Sequence, residues 1–379
     1  MNFVALKMLT GDRAKYLALI FTIAFASFLI AHQASIFAGI MNRTWSQIMD
    51  VTDADLWVMD HKTEYFDEVN PMPDDDLYRV RGVSGVMWAV PLFKGNPVAK
   101  TPHGEFRVVK LLGLDDATLV GAPRKMVMGS LDALREPDAV IIDEAGYRGL
   151  FPNQPLELGK TLEMNDRRAH LVGICDASAP FTTQPLVFTR YSQALNYVGR
   201  QRNLLSFVLV KAEPQTPASE LATRITQATG LTAMTGQQFG WATIMYYIDN
   251  TGIPINFGMT VIIALIVGMV VAGQTFYIFT IENLKQFAGL KAIGVTDRRL
   301  MGMILLQALV VGSFGFALGI GMAAAYFAVF IRQVQTRGIN LLPQVIVGDG
   351  VVVLMIIAVA SLMSIRKVMT VEPAMVFRG

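Results

Sequence analysis

Four long apolar runs divide the chain. They cover residues 16–40, 255–280, 300–331 and 345–365, and each is long enough for the about 20 apolar residues that a helix needs to cross a bilayer. The first run holds no Asp, Glu, Lys or Arg and exceeds the about 7–15 apolar residues of a cleaved signal peptide, which favours an uncleaved anchor. The pattern predicts four transmembrane helices.

A different pattern fills the long segment between the first two runs. Short β-rich stretches such as 86–93 and 206–211 are bounded by Gly, Pro or charged residues, and helix-like stretches such as 217–229 lie among them. A segment of this length can bury a core of its own. We therefore expect an α+β domain inserted between helices 1 and 2, with a helical stalk at 237–248 leading into helix 2.

The distribution of Lys and Arg sets the orientation, because cytoplasmic segments near span ends are rich in these residues. The N-terminal segment, the loop after helix 2 and the C-terminal tail are all basic. Residues 43–251 hold 20 Lys and Arg against 25 Asp and Glu, a net charge of −5. Both termini are therefore expected in the cytoplasm and the inserted domain outside it.

The full division follows from the spans and their orientation. It comprises a cytoplasmic N-terminal segment (1–15), helix 1 (16–40), the extracytoplasmic domain with helical stalks (41–254), helix 2 (255–280), a cytoplasmic loop (281–299), helix 3 (300–331), an outer loop (332–344), helix 4 (345–365) and a cytoplasmic tail (366–379). The expected fold class is an α-helical membrane protein with four transmembrane helices and an inserted α+β domain.

Composition narrows the function classes. The net charge of +2 gives no general basic field for nucleic acid, and a single cysteine, Cys175, allows neither an internal disulfide nor a cysteine-based zinc site. The histidines show no metal-ligand spacing, and no catalytic triad is indicated. Gly159-Lys160-Thr161 lacks the first glycine of a phosphate loop, since position 154 is Gln. We expect a non-enzymatic chain without a bound metal or cofactor.

The most informative stretch, residues 282–295, lies in the loop after helix 2. Ile281, Leu284, Phe287, Leu290 and Ile293 recur at nearly helical spacing with polar residues between them, and Gly294 can end such a helix. A short amphipathic helix on the cytoplasmic face is expected. By spacing alone, an interfacial helix that only turns the chain fits equally well.

This stretch resembles the coupling-helix signature of FtsX/MacB-like permeases, the type VII class of ABC transporters. The matching positions are Glu282, Gln286, Phe287, Ala288, Leu290, Lys291, Ala292, Ile293, Gly294 and Val295. The basic N-terminal stretch 5–16, the tail 365–378 and the one-plus-three layout of spans are also similar to that family. Residues 54–60 and the overall length look closest to its DevC-like branch.

The resemblance implies the permease of an ATP-driven exporter in a bacterial inner membrane. Two copies of the chain would dock on two ABC ATPase subunits, which bind ATP and magnesium, through residues 282–295. Leu284, Phe287, Leu290 and Ile293 would enter the ATPase groove, and Lys285 and Lys291 would lie at its rim. A membrane fusion protein, and with it an outer-membrane channel, would receive a lipid or amphipathic substrate.

Two relatives of the same superfamily stay open as alternatives. One is an FtsX-like regulator that activates a cell-wall enzyme outside the cytoplasm, against which the large inserted domain argues, and the other is a lipoprotein-release permease. A membrane-anchored sensor is disfavoured, because no cytoplasmic segment is large enough for an output domain.

Small and polar residues inside the spans are most simply interpreted as structural, without a role in binding substrate. Gly312, Gly315 and Gly319 line helix 3, where small residues allow close helix packing within the subunit or dimer. His32 and Asp349 are expected near the outer interface, where water can solvate them.

The orientation predicts how Lys291 responds to labelling. In a Lys291→Cys variant, a membrane-impermeant thiol reagent added outside intact cells should not modify the new cysteine, whereas it should after permeabilisation. Modification from outside would show that the predicted orientation is inverted, and the transport interpretation would lose its basis.

Overall fold

A computed structural model describes residues 2–11, 13–101, 104–198, 205–330 and 337–370. It contains two compact units. The membrane unit comprises residues 1–39 and 252–379, and the inserted domain comprises residues 40–251. Ile331 at the end of the predicted helix 3, residues 332–336 of the predicted outer loop and residues 371–379 of the predicted tail lie outside the described residues.

The helices of the described chain are α1 (Asn2–Gly11), α2 (Arg13–Asp50), α3 (Asp75–Arg81), α4 (Glu144–Leu150), α5 (Tyr191–Tyr197), α6 (Ala218–Thr229), α7 (Gly236–Asn250), α8 (Ile253–Glu282), α9 (Leu284–Ala292), α10 (Asp297–Phe330) and α11 (Pro343–Met369). The strands are β1 (Leu56–Met59), β2 (Val86–Gly95), β3 (Val98–Lys100), β4 (Phe106–Val108), β5 (Lys110–Leu114), β6 (Lys125–Gly129), β7 (Ala139–Asp143), β8 (Thr161–Met164), β9 (Arg167–Asp176), β10 (Leu186–Arg190), β11 (Phe207–Ala212) and β12 (Thr232–Thr235).

Four of these helices are long and apolar enough to cross a membrane, namely α2, α8, α10 and α11. The mixed α and β elements all lie between α2 and α8. The predicted fold class, four spanning helices with an α+β domain inserted after the first, is therefore confirmed. Helix α2 extends ten residues beyond the apolar run, so its last turns belong to the inserted domain.

The two chain segments that join the units differ in continuity. Helix α2 is unbroken from Arg13 to Asp50, whereas α7 ends at Asn250 and α8 begins at Ile253. Thr251 between them has extended backbone angles, φ −126° and ψ 156°, and Pro254 occupies the first turn of α8. The stalk predicted at 237–248 is present as the separate helix α7. A new helix begins after it because Pro254 has no N–H to donate to a preceding turn.

The inserted domain is built on one mixed sheet with the strand order β12-β1-β11-β2-β5-β10-β7-β9-β8-β3-β4, and β6 pairs with β9 beside this path. Strands β5 and β10, and strands β7 and β9, run parallel. Strand β10 lies between β5 and β7, and β1 lies between β11 and β12. The sheet thus brings together residues that are far apart in the chain.

A cluster of four aromatic side chains forms the centre of one core. Trp57, Phe66, Phe207 and Phe239 are all buried, and the ring centroids of Trp57 and Phe207 are 5.4 Å apart in an edge-to-face arrangement. Such pairs add about 0.5–1.5 kcal/mol to the free energy of unfolding beyond the burial of their area. Phe239 is on α7, so this core holds α7 on the sheet.

Close packing also joins α7 to the end of α2 within the inserted domain. A Cβ atom at Gly240 would lie 2.5 Å from Cε3 of Trp45, so only glycine fits there. The last carbonyls of α2 are capped by Arg124, whose guanidinium donates to the Met49 and Asp50 oxygens at 2.7 and 3.1 Å. Ser178 donates from its backbone and hydroxyl to the Asp50 carboxylate at 3.0 and 2.8 Å.

An unusual charge cluster fixes the loop that precedes α3. The ammonium groups of Lys94 and Lys110 lie 2.9 and 2.6 Å from the same oxygen of Asp67, and their side chains are only 1% and 3% exposed. Burial lowers the pKa of Lys94 to about 8, against the attraction of Asp67. Burial would raise the pKa of Asp67, but the two ammonium groups outweigh it and lower that pKa below its usual value.

The same loop is bound to α7 by three successive contacts. The Thr243 hydroxyl accepts from the Phe66 backbone N–H at 3.2 Å, and the Tyr247 hydroxyl donates to Asp67 at 3.3 Å. The rings of Tyr65 and Tyr246 stack with centroids 3.9 Å apart. The loop therefore acts as a strap that holds α7 against the sheet.

Asp67→Asn is predicted to destabilise the inserted domain. It leaves two buried ammonium groups without a counter-charge, which should lower the free energy of unfolding by on the order of 3–5 kcal/mol. The deficit should shrink as the pH rises from 7 to 10, because the folded variant then releases a proton that the unfolded chain still holds. Thermal unfolding of the full-length protein in detergent across this pH range tests it.

Asp132→Asn is the matched control for this variant. The Asp132 side chain is 88% exposed and its nearest cation, on Arg135, is 3.9 Å away, so its loss should change stability little at any of these pH values. Equal melting temperatures for Asp67→Asn and the unmodified protein would contradict the assigned role of the cluster.

Candidate functional site

Helix α9 is a nine-residue segment with a defined start and end. It is separated from α8 by Asn283 and ends in a Schellman motif, in which the Gly294 N–H donates to the Lys291 oxygen and the Val295 N–H to the Leu290 oxygen, both at 3.1 Å. Gly294 has φ +90°, a conformation that favours glycine. The chain then turns directly into α10.

The inner face of α9 is part of the core of the membrane unit. Phe287 is 1% exposed and Ala288 is fully buried. Phe287 belongs to a cluster with residues of α1, α2, α8, α10 and α11, and Leu284 and Leu290 pack against this cluster. The apolar stripe of α9 is therefore covered by the chain's own helices.

The outer face of α9 carries a different set of side chains. Lys285 and Gln286 are exposed, and Ile293 is 78% exposed although it is apolar. Glu282 forms an ion pair with Lys15. The ammonium of Lys291 lies 3.1 Å from the Asp297 carboxylate and donates to the Met369 oxygen at the same distance, so it braces the loop against α11.

These positions change the assignment made from the sequence. Leu284, Phe287 and Leu290 were expected in a partner's groove, but they face their own bundle, and only Ile293 of the four projects outward. The helical spacing identified a face that must be covered and could not say which surface covers it. Lys285, Gln286 and Ile293 form the outward set.

The three glycines predicted on helix 3 lie at contacts within the chain. A Cβ atom at Gly312 would overlap the Ile357 side chain of α11, and one at Gly315 would lie 2.7 Å from the Cβ of Ile23 on α2. One at Gly319 would lie 2.6 Å from the backbone oxygen of Ala24. These residues let α10 approach two neighbouring spans, and a further role between two copies stays a prediction.

Asp349 is deeper in the protein than the sequence indicated. It is 2% exposed, and the fully buried Ser27 hydroxyl donates to its carboxylate at 2.5 Å. The expected solvated start of helix 4 is therefore wrong at this residue, because α2 packs over it. His32 contacts the rings of Tyr326 and Phe327 at centroid distances of 4.6 and 5.7 Å, an environment of aromatic rings that the sequence did not indicate.

Potential metal ligands are distributed across the part of the chain that the structure describes. Among the described residues, no group of three or more His, Cys, Asp or Glu side chains is arranged to hold a metal ion.

Two family descriptions match the chain, and together they cover most of it. A MacB-like periplasmic core domain matches residues 17–228, more than half of the chain, and an FtsX-like permease C-terminal region matches residues 239–373. The second match contains α8, α9, α10 and α11.

Curated relatives include uncharacterized ABC transporter permeases from two strains of Mycobacterium tuberculosis, H37Rv and CDC 1551. Each is 28% identical over 315 residues, which is 82% of this chain and 80% of the relative.

Solved structures similar to the chain include the periplasmic region of MacB from Actinobacillus actinomycetemcomitans, with TM-score 0.39 and 17% identity over 54% of this chain and 96% of that one. Another is the extracellular domain of the noncanonic ABC-type transporter YknZ from Gram-positive bacteria. Its TM-score is 0.36, and it is 18% identical over 48% of this chain and 99% of that one.

Gly315→Ala is predicted to loosen the packing of α10 on α2. The added methyl group would press on Ile23 and the Ile20 backbone oxygen, and overpacking of this kind costs about 1–3 kcal/mol. Gly321→Ala is the control, since nothing lies within 4 Å of the corresponding position and alanine favours a helix. Melting temperatures in detergent compare the two, and equal values would refute the packing role.

Proposed function

The chain belongs to the ABC transporter permeases of the MacB/FtsX type, and from this premise we propose that it is the membrane subunit of an ATP-driven exporter. Such a permease requires a partner ATPase. In the proposed arrangement the ATPase is a separate dimer that binds ATP and magnesium, and this chain is a non-catalytic subunit. We further propose that the chain lies in a bacterial inner membrane with both termini in the cytoplasm.

The observation that carries this proposal is the burial of one face of α9. Phe287 and Ala288 are buried, while Lys285 and Gln286 of the same helix, and Ile293 directly after it, are exposed. An exposed isoleucine on a surface that also carries the polar Lys285 and Gln286 would fit a partner's shallow pocket, since interfaces combine apolar anchors with polar residues around them. A push on this outer face would reach the spans through Phe287.

In this proposal, movement of the membrane helices reaches the inserted domain through α2. This helix is unbroken from the membrane unit into the inserted domain, where Arg124 and Ser178 hold its last turn. Helix α8 meets the inserted domain through the break at Thr251 and Gly252. We propose that α2 acts as the stiff lever and the break as the hinge when the ATPases close.

A lipid or other amphipathic molecule is the proposed substrate class. A groove of about 280 Å³ lies between α2 and α8 within the membrane unit, and its walls are almost wholly apolar. Phe21, Phe25, Ile263 and Val267 line it, and they would suit an acyl chain. A membrane fusion protein, with an outer-membrane channel beyond it, is proposed to receive the substrate from the inserted domain.

A second copy of the chain is the proposed partner within the membrane. Helix α8 is the least covered span, because only 17% of its most apolar window is buried, against 44% for α10. Its open face would pack against the same helix of another copy or against lipid. We propose a homodimer, which matches one permease to each ATPase subunit.

The double variant Lys285→Glu with Ile293→Asp tests the docking face. Both side chains are exposed, so the fold should persist, while affinity for the partner ATPase should fall about tenfold or more. Co-purification and the stimulation of ATP hydrolysis by the full-length permease in nanodiscs provide the measurements.

Lys62→Glu, an exposed charge reversal in the inserted domain, is the control and should bind normally. Undiminished ATPase binding by the double variant would remove the proposed coupling role of α9.

A further inference from the structure

We infer that α1 forms the second half of the ATPase-docking surface, through a groove that it shares with the junction of α8 and α9. This inference rests on the proposed function and assigns a role to a helix that the α9 signature does not include. The groove has a volume of about 550 Å³. Its lining residues are Phe3, Val4, Lys7, Met8, Gly11, Glu282, Asn283 and Gln286.

Helix α1 is held firmly enough to present one wall of such a site. Ala5 and Leu9 are fully buried in the core cluster that also contains Phe287. The buried side-chain amide of Gln307 on α10 donates to the Ala5 backbone oxygen at 2.8 Å. Helices α1 and α9 are therefore parts of one packed unit, and a partner that binds one can press on both.

The size of α9 argues that it cannot be the whole interface. A helix of nine residues is about 13 Å long, so its outer half covers on the order of 130 Å² in projection. A stable protein interface buries about 800 Å² on each partner. A docked ATPase must touch neighbouring surface, and Gln286 belongs both to the outer face of α9 and to the groove.

The chemistry of the groove favours a protein over a lipid chain. One wall carries the apolar Phe3 and Val4, with Phe3 73% exposed, and the other carries Glu282, Asn283 and Gln286. The groove between α2 and α8, in contrast, offers almost no polar group. Mixed polar and apolar walls match a protein side-chain surface, which can supply both hydrogen-bond partners and apolar contacts.

Lys7→Glu tests the inference by affinity. The Lys7 ammonium lies 5.7 Å from the Phe3 ring centre on the rim of the groove, and reversing its charge should weaken ATPase binding about tenfold. Arg13→Glu is the matched control, an exposed cation at the start of α2 that does not line the groove. It should bind normally in the same nanodiscs.

Protection of a new thiol identifies the occupant. In full-length Val4→Cys, a soluble thiol reagent should modify the cysteine in nanodiscs of zwitterionic or anionic lipid, and added ATPase should slow that modification about tenfold or more. The natural Cys175 is fully buried and should contribute no background.

The outcomes separate this inference from the proposed function. If Lys285→Glu with Ile293→Asp loses ATPase binding while Lys7→Glu keeps it, α1 has no docking role and the coupling role of α9 stands. If both variants bind normally, both proposals fall. Equal weakening by Arg13→Glu would overturn the inference, because it would show a general effect of charge and no specific contact at the groove. Protection of Val4→Cys by the bilayer alone would also overturn it and place lipid in the groove.

Discussion

The burial of Phe287 is the contact on which the proposed coupling depends. An isolated helix of nine residues is not stable in water, since about 12–15 residues are needed even for marginal helicity. Helix α9 therefore owes its shape to packing, and burying one phenylalanine contributes about 1.5–3 kcal/mol. The same packing makes α9 inseparable from the spans. A force on its outer face cannot bend it alone and must act on the bundle.

Two unequal connections join the inserted domain to the membrane unit, and the proposed force would pass through them. Helix α2 is continuous and capped by Arg124 and Ser178 at its end, while Thr251 and Gly252 interrupt the path between α7 and α8. Inside the domain, α7 is fixed to the sheet by Asp67 and the aromatic core, and to α2 at Gly240. In the proposed mechanism, the short break would therefore act as the hinge, while these contacts would hold α7 in place on the sheet.

Sequence reasoning predicted the features that depend on composition and local pattern. The four apolar runs predicted the spanning helices because a bilayer demands long uncharged segments, and the inserted α+β domain followed from the change of pattern between the first two. The resemblance at 282–295 indicated the family, which the matches to both described regions support.

The features that depend on which surfaces meet were not predictable in this way. Phe287 and Ile293 share one helical stripe in the sequence, yet one is buried and the other exposed. Asp349 reads as a solvated helix start until α2 is placed over it. The same holds for Asp67, whose two lysines come from different strands, since a carboxylate in a loop carries no sign of distant cations. In each case, residues that are distant in the sequence determine whether the side chain is buried or paired.

The position of β1 has a consequence for how the protein is made. Strand β1 follows α2 at the beginning of the inserted domain, yet its two neighbours, β11 and β12, come from the end. Nearly the whole domain must therefore be synthesised and exported before its first strand can pair. Non-local pairing of this kind folds slowly. During export the edges of β1 stay unpaired, and an unpaired strand edge is prone to pair with other chains until the last strands arrive.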